Sequence, residues 1–113
     1  MSETKTALYE GMYIISAQLS DDARQKALDR ITGGIEKQGG AIKKIHNWGR
    51  RRLAYEIDGH REGHYYIIYF DVPTPAIKEL WHDYALNEDL VRYLTLRTEE
   101  VRETIEFKSF TEQ

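Results

Sequence analysis

Hydrophobic and polar residues alternate along the first part of the chain. The run between residues 8 and 16 is short and rich in aromatic and β-branched side chains, and every second position falls on one face of an extended strand. The residues of that face are Tyr9, Gly11, Tyr13 and Ile15. The pattern predicts a first strand.

The apolar spacing then changes to the period of an α-helix. Ser20 is the expected N-cap, and Asp21 and Asp22 follow it in the first turn, where the positive end of the helix dipole favours acidic side chains. Gly39 and Gly40 are the expected stop. The apolar residues at helical spacing between these signals are Ala23, Ala27, Leu28, Ile31 and Ile35. We therefore predict a first helix between Ser20 and the glycine pair.

Two β-rich runs follow. A long second strand is predicted over residues 41–57, with a bend near residues 47–49, and a third strand over residues 64–72. Residues 58–63 (DGHREG) separate them and predict a hairpin loop, because Asp-Gly and a second glycine favour a chain reversal. The apolar members of the second strand are Ile42, Ile45, Leu53, Tyr55 and Ile57.

A second helix and a fourth strand complete the pattern. Thr74 is the expected N-cap of the helix, with Pro75 at the first helical position, where the missing N–H of proline costs nothing. Residues 90–98 alternate again and predict the fourth strand. The apolar stripe of the helix, which we expect in the core together with its tryptophan, is Ile77, Leu80, Trp81, Tyr84 and Ala85.

The predicted order of elements is β-α-β-β-α-β. With right-handed crossovers it closes most simply as a ferredoxin-like α+β sandwich, a four-stranded antiparallel sheet with two helices on one face. The other face has no helix to cover it, so we expect a long sheet face open to a ligand or partner. The expected organisation is a flexible N-terminus over residues 1–7, one folded domain over residues 8–98 and a polar, acidic tail over residues 99–113.

The net charge hides an uneven distribution. The 113 residues include 16 Lys and Arg against 19 Asp and Glu, a formal charge of −3, and a pI near 5.8 by itself argues against nucleic-acid binding. Residues 37–55, however, carry a charge of +6 with no acidic residue, which leaves −9 for the remainder. The six cations are Lys37, Lys43, Lys44, Arg50, Arg51 and Arg52.

This basic segment has the composition of an RNA-contacting strand. His46 and Trp48 lie within it, so cations are interleaved with rings that can stack on a base or ribose. Arginine suits bidentate phosphate contacts, and three consecutive arginines would otherwise repel one another. For Lys43 and Lys44, the alternative is that they only solvate the outward side of a strand.

Four segments resemble a known family. Residues 49–57 (GRRRLAYEI) resemble the signature of the bacterial small-subunit ribosomal protein six family, in which a glycine and basic residues precede Leu-Ala/Ser-Tyr-x-Ile. Residues 9–10 (YE), 63–66 (GHYY) and 87–94 (NEDLVRYL) resemble the first, third and final strands of that family, in the same order. The resemblance covers residues 8–98.

The resemblance implies a structural protein without catalytic residues, and we expect no cofactor. It implies binding to 16S ribosomal RNA in the central domain, together with ribosomal protein eighteen of the small subunit, which contributes part of the RNA site. Matched by position to basic residues of the family, the first-choice RNA contacts are Arg51, Arg52, Arg92 and Arg97. Supported by local composition alone, the second-choice contacts are Arg50, Lys43, Lys44 and Trp48.

Two other functions are open at this point. Residues 63–70 partly resemble the third strand of an RNA-recognition-motif domain, which binds single-stranded RNA alone, but Glu62 and Tyr65 depart from that motif, and the tyrosines are better explained by sheet packing. Ferredoxin-like folds also host small hydrolases. Against a hydrolase, the glycines form no phosphate-binding loop, and no triad or carboxylate pair can be singled out.

The sequence also limits metal chemistry and location. The chain has no cysteine, which removes disulfides and thiolate metal sites. His60 and His64 are four residues apart but span a predicted loop and strand start, so we predict no metal site. No apolar run approaches the ~18 residues of a membrane span, and residues 1–5 lack the apolar stretch of a signal peptide. We therefore expect a cytoplasmic protein.

Overall fold

The computed structural model describes residues 5–104. It contains six main elements in the predicted order, with a short 3-10 turn at Thr74–Ala76 before the second helix. The elements are β1 Thr6–Ser16, α1 Asp21–Lys37, β2 Ala41–Ile57, β3 His60–Pro73, α2 Ile77–Leu86 and β4 Leu90–Arg97. None of the helices in this part of the chain is long and apolar enough to cross a membrane.

The four strands form one antiparallel sheet in the order β2-β3-β1-β4. Both helices pack on the same face of this sheet, as the shared membership of their apolar residues in one core cluster shows. The predicted ferredoxin-like sandwich is therefore confirmed. We call the opposite side of the sheet the open face.

The main core lies between the sheet and the helices. Its largest fully buried side chains include Tyr13 of β1 and Phe70 of β3, and the helices contribute Ile31, Ile35 and Leu80. Tyr13 also forms a buried hydroxyl–hydroxyl hydrogen bond of 2.8 Å with Tyr84 of α2, and the two rings meet edge to face. The paired hydroxyls satisfy polar groups that would otherwise be costly to bury.

Helix α1 begins and ends at the predicted signals. The Ser20 hydroxyl accepts a hydrogen bond from the Ala23 N–H at 3.2 Å, which caps the first turn. After Lys37 the chain leaves the helix through Gly39, whose φ of 87° suits glycine. At Gly40 a Cβ atom would lie 2.5 Å from the Asp71 carbonyl oxygen, so the helix end can approach β3 only because this residue is glycine.

The β2–β3 connection is shorter than predicted. Residues 58–63 were expected to form a loop, but only Asp58 and Gly59 turn, with φ of 46° and 83°, and β3 begins at His60. Two successive residues at positive φ match the right-handed twist of a tight hairpin, which accounts for Asp-Gly at this point. Strand β1 likewise begins at Thr6 rather than residue 8, because Thr6 and Ala7 pair with the end of β3.

Two expectations for the second helix are wrong. Thr74 does not cap it, because a 3-10 turn precedes α2 and the N-cap residue, Ala76, makes no side-chain cap hydrogen bond. Trp81 is not a core residue, since it remains 45% exposed. Ile77, Leu80 and Tyr84 fill the core side of α2, and Trp81 lies on the flank beyond them.

The open face is only partly open, contrary to expectation. At one end, Leu53 and Trp48 of β2 pack on Ile14 and Tyr65 in a second, smaller apolar cluster. At the other end, the chain after β4 crosses towards β2, where the His46 Nε2 donates to the Arg102 carbonyl oxygen at 2.8 Å. Of the predicted termini, residues 1–4 and 105–113 lie outside the described residues.

Candidate nucleic-acid interface

The strand register divides the three consecutive arginines between the two faces of the hairpin. Arg50 lies opposite His64, Arg51 opposite Gly63 and Arg52 opposite Glu62. Since cross-strand partners share a face and successive residues alternate, Arg51 lies on the open face, and Arg50 and Arg52 lie on the helix side. All three side chains are exposed. The hairpin therefore presents positive charge on both sides.

Arg50 is held by a carboxylate of the neighbouring strand. Its Nη2 and Nε donate to the two oxygens of Glu62 at 2.9 and 3.3 Å, a bidentate pair. The hydrogen bond and charge of Glu62 raise the pKa of Arg50, and those of Arg50 lower the pKa of Glu62. Arg50 is thus positioned but partly neutralised.

The two lysines of the basic segment also have acidic partners. The Lys43 ammonium lies 3.2 Å from Asp71 of β3, and the Lys44 ammonium lies 3.2 Å from Glu103. Both carboxylates are distant from the lysines in sequence. The basic segment contains no acidic residue of its own, but the fold brings acidic side chains to it. Exposed pairs of this kind contribute about 0–1 kcal/mol each. A phosphate can therefore replace them at little cost in stability.

Arg51 and Arg92 lie on the same face and at the same end of the sheet. Arg92 stands opposite Ile14 of β1, and Arg51 stands in the next open-face row, beside Gly63 and Ser16. The Arg51 Nε donates to the Trp48 carbonyl oxygen at 3.1 Å, and the Arg92 Nη1 donates to the Tyr55 hydroxyl at 3.1 Å. These hydrogen bonds orient two exposed guanidinium groups on strands of the sheet.

The remaining predicted residues are placed differently. Arg97 lies opposite Tyr9, on the helix side and at the other end of β4 from Arg92. Trp48 is half-buried against the Leu53 cluster, so packing occupies part of its ring. The structure therefore places Arg51 and Arg92 on one face and at one end of the sheet, on its two edge strands, with Arg50 and Arg52 on the other side of the same hairpin. Arg97 lies at the other end of β4.

Sequence reasoning missed two neighbours of these arginines. The strand pattern predicts Tyr55 as an apolar strand residue, but its ring is 51% exposed beside Arg92 and can stack on a base or ribose. Arg24 of α1 donates to the Tyr66 hydroxyl at 3.2 Å. Burial, followed by the charge of Arg24, lowers the pKa of His64. Arg24 gave no signal because it stands alone beside two aspartates in the sequence.

The tyrosines of β3 are packing residues. Tyr65, Tyr66 and Tyr69 are each at most 2% exposed, so their rings cannot stack on bases as those of a recognition-motif domain do. Burial, together with a hydrogen bond donated to Glu10, raises the pKa of Tyr69 to about 12. Among residues 5–104, no three side chains of the metal-ligating types converge on one point.

Comparison with known proteins decides the family. The family model for ribosomal protein S6 matches residues 8–97, which include the whole sheet apart from the first two residues of β1. The chain belongs to the ribosomal protein S6 family. The small ribosomal subunit protein bS6 of Protochlamydia amoebophila is 66% identical over 113 residues, covering 100% of this chain and 99% of that protein.

More distant S6 proteins share the length and the fold. The bS6 protein of Chlamydia abortus is 55% identical over 112 residues, covering 99% of this chain and 100% of the relative. The crystal structure of 30S ribosomal protein S6 from Thermotoga maritima superimposes with a TM-score of 0.78 at 33% identity, covering 83% of this chain and 89% of that one. The predicted resemblance is confirmed.

S6 membership decides between structural and catalytic functions. The relatives are named as proteins of the small ribosomal subunit, which are structural components, and this confirms the prediction of a non-enzymatic protein. The hydrolase alternative is therefore set aside. The chain is a ribosome-associated protein of the small subunit.

Proposed function

We propose that the chain binds 16S ribosomal RNA through the end of the sheet that carries Arg51 and Arg92, and that it does so together with ribosomal protein eighteen in the bacterial cytoplasm. The observation that supports this most directly is the placement of the two arginines on one face, in neighbouring rows. Tyr55, which belongs to the hairpin, accepts a hydrogen bond from Arg92 and adds a ring for stacking. Residues 8–98 form the RNA-binding unit in this proposal.

The mechanism is electrostatic positioning. The arginines are exposed, and each is anchored by a hydrogen bond to a strand, so they meet phosphates with little loss of side-chain freedom. Contacts to phosphate and ribose fix the orientation of a folded RNA without reading its bases. Arg52, on the other side of the hairpin, lets the hairpin touch RNA from two sides.

The paired cations have a secondary role. Arg50, Lys43 and Lys44 would exchange a carboxylate partner for a phosphate when RNA arrives. Arg97 and Trp48 contribute from the margins, the first at the far end of β4 and the second from within the hairpin cluster. Because the whole chain carries −3, its affinity for RNA alone is modest, and a basic partner protein completes the site.

The test is the double substitution Arg51→Ala with Arg92→Ala. We expect weaker binding of the 16S central-domain RNA in the presence of ribosomal protein eighteen. The log–log dependence of affinity on salt should also flatten by ~0.7 to 0.9 units for each lost phosphate contact. Filter binding over a salt series measures both quantities.

A matched control removes the same charge elsewhere. Lys26→Ala with Arg30→Ala strips two exposed cations from α1, where Arg30 pairs with Asp83 at 2.8 Å. This control should leave the salt slope unchanged. An Arg51/Arg92 variant with the affinity and slope of the unmodified protein would show that RNA binds elsewhere.

A further inference from the structure

Basic side chains from three elements gather on the helix side of the β2–β3 hairpin. Arg24 comes from the start of α1, Arg50 and Arg52 from β2, and His64 from β3. In the register of the hairpin, Arg50 lies opposite His64 and Arg52 lies opposite Glu62, so these side chains share one face. We call Arg24, Arg50, Arg52 and His64 the helix-side cluster.

Tyr66 connects α1 to this face of the hairpin. The Arg24 Nε donates to the Tyr66 hydroxyl at 3.2 Å. The His64 ring stacks on the Tyr66 ring, with 5.2 Å between the ring centroids and 28° between the planes. Arg24 also pairs with Asp21 at 2.8 Å. The Arg24 guanidinium is therefore oriented beside the two stacked rings.

The guanidinium groups of the cluster outnumber its carboxylates. Glu62 accepts two hydrogen bonds from Arg50, at 2.9 and 3.3 Å. The hydrogen bond and charge of Arg50, and to a smaller extent the charge of Arg52, lower the pKa of Glu62. Glu62 and Asp21 thus serve three arginines. Both carboxylates are exposed, and exposed pairs add little to stability, so another anion can replace them.

A cleft beside Arg50 offers space for such an anion. It has a volume of about 240 Å³ and opens to solvent between the loop after β1 and the end of the hairpin. A water molecule occupies ~30 Å³ in the liquid, so the cleft has room for a phosphate group with its ribose. Its lining residues are Ala17, Gln18, Arg50 and residues 59–62.

The helix-side cluster lies around an edge of the sheet from the proposed RNA contacts. In the sheet order of the described chain, β2 is an edge strand and pairs with β3. Arg51 lies on the open face of this edge, and its neighbours Arg50 and Arg52 lie on the helix side. An RNA strand that contacts Arg51 can therefore turn around β2 and bring a further phosphate to the cluster.

We propose that the helix-side cluster binds a backbone phosphate of the RNA that contacts Arg51, and that His64 takes up a proton when this phosphate binds. The inference rests on the proposed function, because it adds a second group of contacts to the same RNA. Arg24 and Arg50 supply planar guanidinium groups, which suit bidentate contacts to phosphate. A protonated imidazole adds a third charged donor.

The surroundings of His64 account for the proton uptake. Burial is the main cause that lowers the pKa of His64, followed by the charge of Arg24 from α1; Asp21 acts in the opposite direction, and Arg50 of β2 lowers the pKa further. β1 places the uncharged Ile15 opposite His64. A phosphate next to the imidazole raises its pKa again. RNA affinity should therefore rise as pH falls through the range between the free and bound pKa values.

The first test is Arg24→Gln in the full-length chain, with 16S central-domain RNA and ribosomal protein eighteen in filter binding over a salt series. We expect affinity to fall about fivefold or more and the log–log salt slope to flatten by ~0.7 to 0.9 units. Arg24→Lys keeps the charge and should keep the slope. Lys26→Gln removes the same charge from an exposed position on α1 and should change neither quantity.

Tyr66→Phe separates charge from fold. This variant removes the hydroxyl that accepts from Arg24 but keeps the guanidinium and the stacked ring. It should retain the salt slope of the unmodified chain. If Tyr66→Phe, folded by circular dichroism, loses as much slope as Arg24→Gln, then Arg24 only supports the fold and the phosphate site is refuted.

The second test follows RNA affinity with pH. For the unmodified chain we expect a rise of about fivefold from pH ~8 to pH ~6. His64→Gln should lose most of this rise, because the group that takes up the proton is absent. His82→Gln, at an exposed position on α2, should keep the full rise. An equal rise in the His64 and His82 variants would refute proton uptake by His64.

Proton NMR of the His64 imidazole distinguishes the source of the phosphate. RNA should raise the pH midpoint of the His64 signal, whereas millimolar inorganic phosphate should leave it near its value in the free chain. A midpoint that rises with inorganic phosphate but not with RNA would assign the cluster to a free anion and overturn the proposal.

The outcomes separate this inference from the proposed function. If the Arg51/Arg92 variant loses RNA affinity while Arg24→Gln and His64→Gln bind like the unmodified chain, the cluster is not a phosphate site and the proposed function stands. If the unmodified chain with ribosomal protein eighteen binds no central-domain RNA, the proposed function and this inference fall together.

Discussion

Single atoms decide where glycine is required in this fold. At Gly63 of β3 a Cβ atom would lie 2.2 Å from the Cγ2 of Ile14, a fully buried side chain of the second apolar cluster. At Gly33 of α1, by contrast, no atom lies within 4 Å of the added Cβ. The same substitution should therefore have opposite effects at the two sites.

Gly63→Ala should lower the free energy of unfolding by about 1–3 kcal/mol, because Ile14 must leave its packed position. Gly33→Ala should raise it by about 0.5–1 kcal/mol, because alanine restricts the unfolded chain and favours the helix. Urea unfolding followed by circular dichroism measures both. Equal effects at the two positions would contradict the close approach at Gly63.

At this scale the sequence predicts which residues carry charge but not which partners they have. The basic composition of residues 37–55 is visible from the letters alone. The pairing of Lys44 with Glu103 and of Lys43 with Asp71 is not, because it depends on chain segments that meet only in the fold. Strand alternation places Arg51 on the opposite face from Arg50 and Arg52. Because β2 has three register shifts, however, the sequence alone does not show which of the two faces Arg51 occupies.

Among the elements, the β2–β3 hairpin extends beyond the rest of the sheet at its turn end. Strand β1 ends at Ser16, opposite Gly63, so the part of the hairpin beyond that row has no third strand beside it. Its main apolar anchor is Leu53, which is 7% exposed and packs on Ile14 and Tyr65. The end of the hairpin that carries Arg52 therefore depends mainly on Leu53, with the half-buried Ile57 packed against the same cluster.

Leu53→Ala should cost about 2–3 kcal/mol of unfolding free energy. It should also speed amide hydrogen exchange in residues 52–61 more than in β1, because the anchor is local. Tyr55→Ala, at a 51% exposed position in the same strand, should cost less than half as much. Uniform acceleration of exchange over the whole sheet would argue against a separately anchored hairpin.

The order of the elements could be predicted because periodicity and caps are local properties. Ser20, for example, caps α1 as its sequence context predicts. The errors arise where tertiary contacts decide. Gly63 was assigned to a loop, yet it is glycine because of Ile14. The helical spacing predicts Trp81 in the core, yet only Ile77, Leu80 and Tyr84 of α2 are buried. The chain after β4 covers part of the open face, and no pattern in the sequence predicts this.

For the whole molecule, the paired tyrosines of the core contribute to a loss of stability at alkaline pH, as does Tyr69, whose pKa is also raised to about 12. Burial raises the pKa of Tyr13 well above its usual value and that of Tyr84 to about 12. Both phenols are neutral below pH ~10 in the folded and the unfolded chain, so they cause no pH dependence there. Above that pH the unfolded chain releases protons that the folded chain keeps, and stability falls as pH rises.

Urea unfolding across a pH series should therefore give a constant contribution from these groups up to pH ~10, followed by a loss of ~1.4 kcal/mol per pH unit for each buried tyrosine. Tyr84→Phe removes one of the two groups. It should be less stable near neutral pH, because the Tyr13 hydroxyl loses its partner, but should show a shallower alkaline decline. Identical slopes for the two proteins would contradict the assignment to Tyr84.

The edge position of β2 has a separate consequence for solubility. A strand of 17 residues at the rim of a sheet is a template for aggregation by edge-to-edge pairing. Three register shifts, a glycine at φ 77° and a row of cations are features that oppose the alignment of a second chain along it. The basic residues proposed to hold RNA thus also keep free chains apart before assembly. Substitutions that neutralise several of these basic residues at once should therefore both weaken RNA binding and lower the solubility of the free protein.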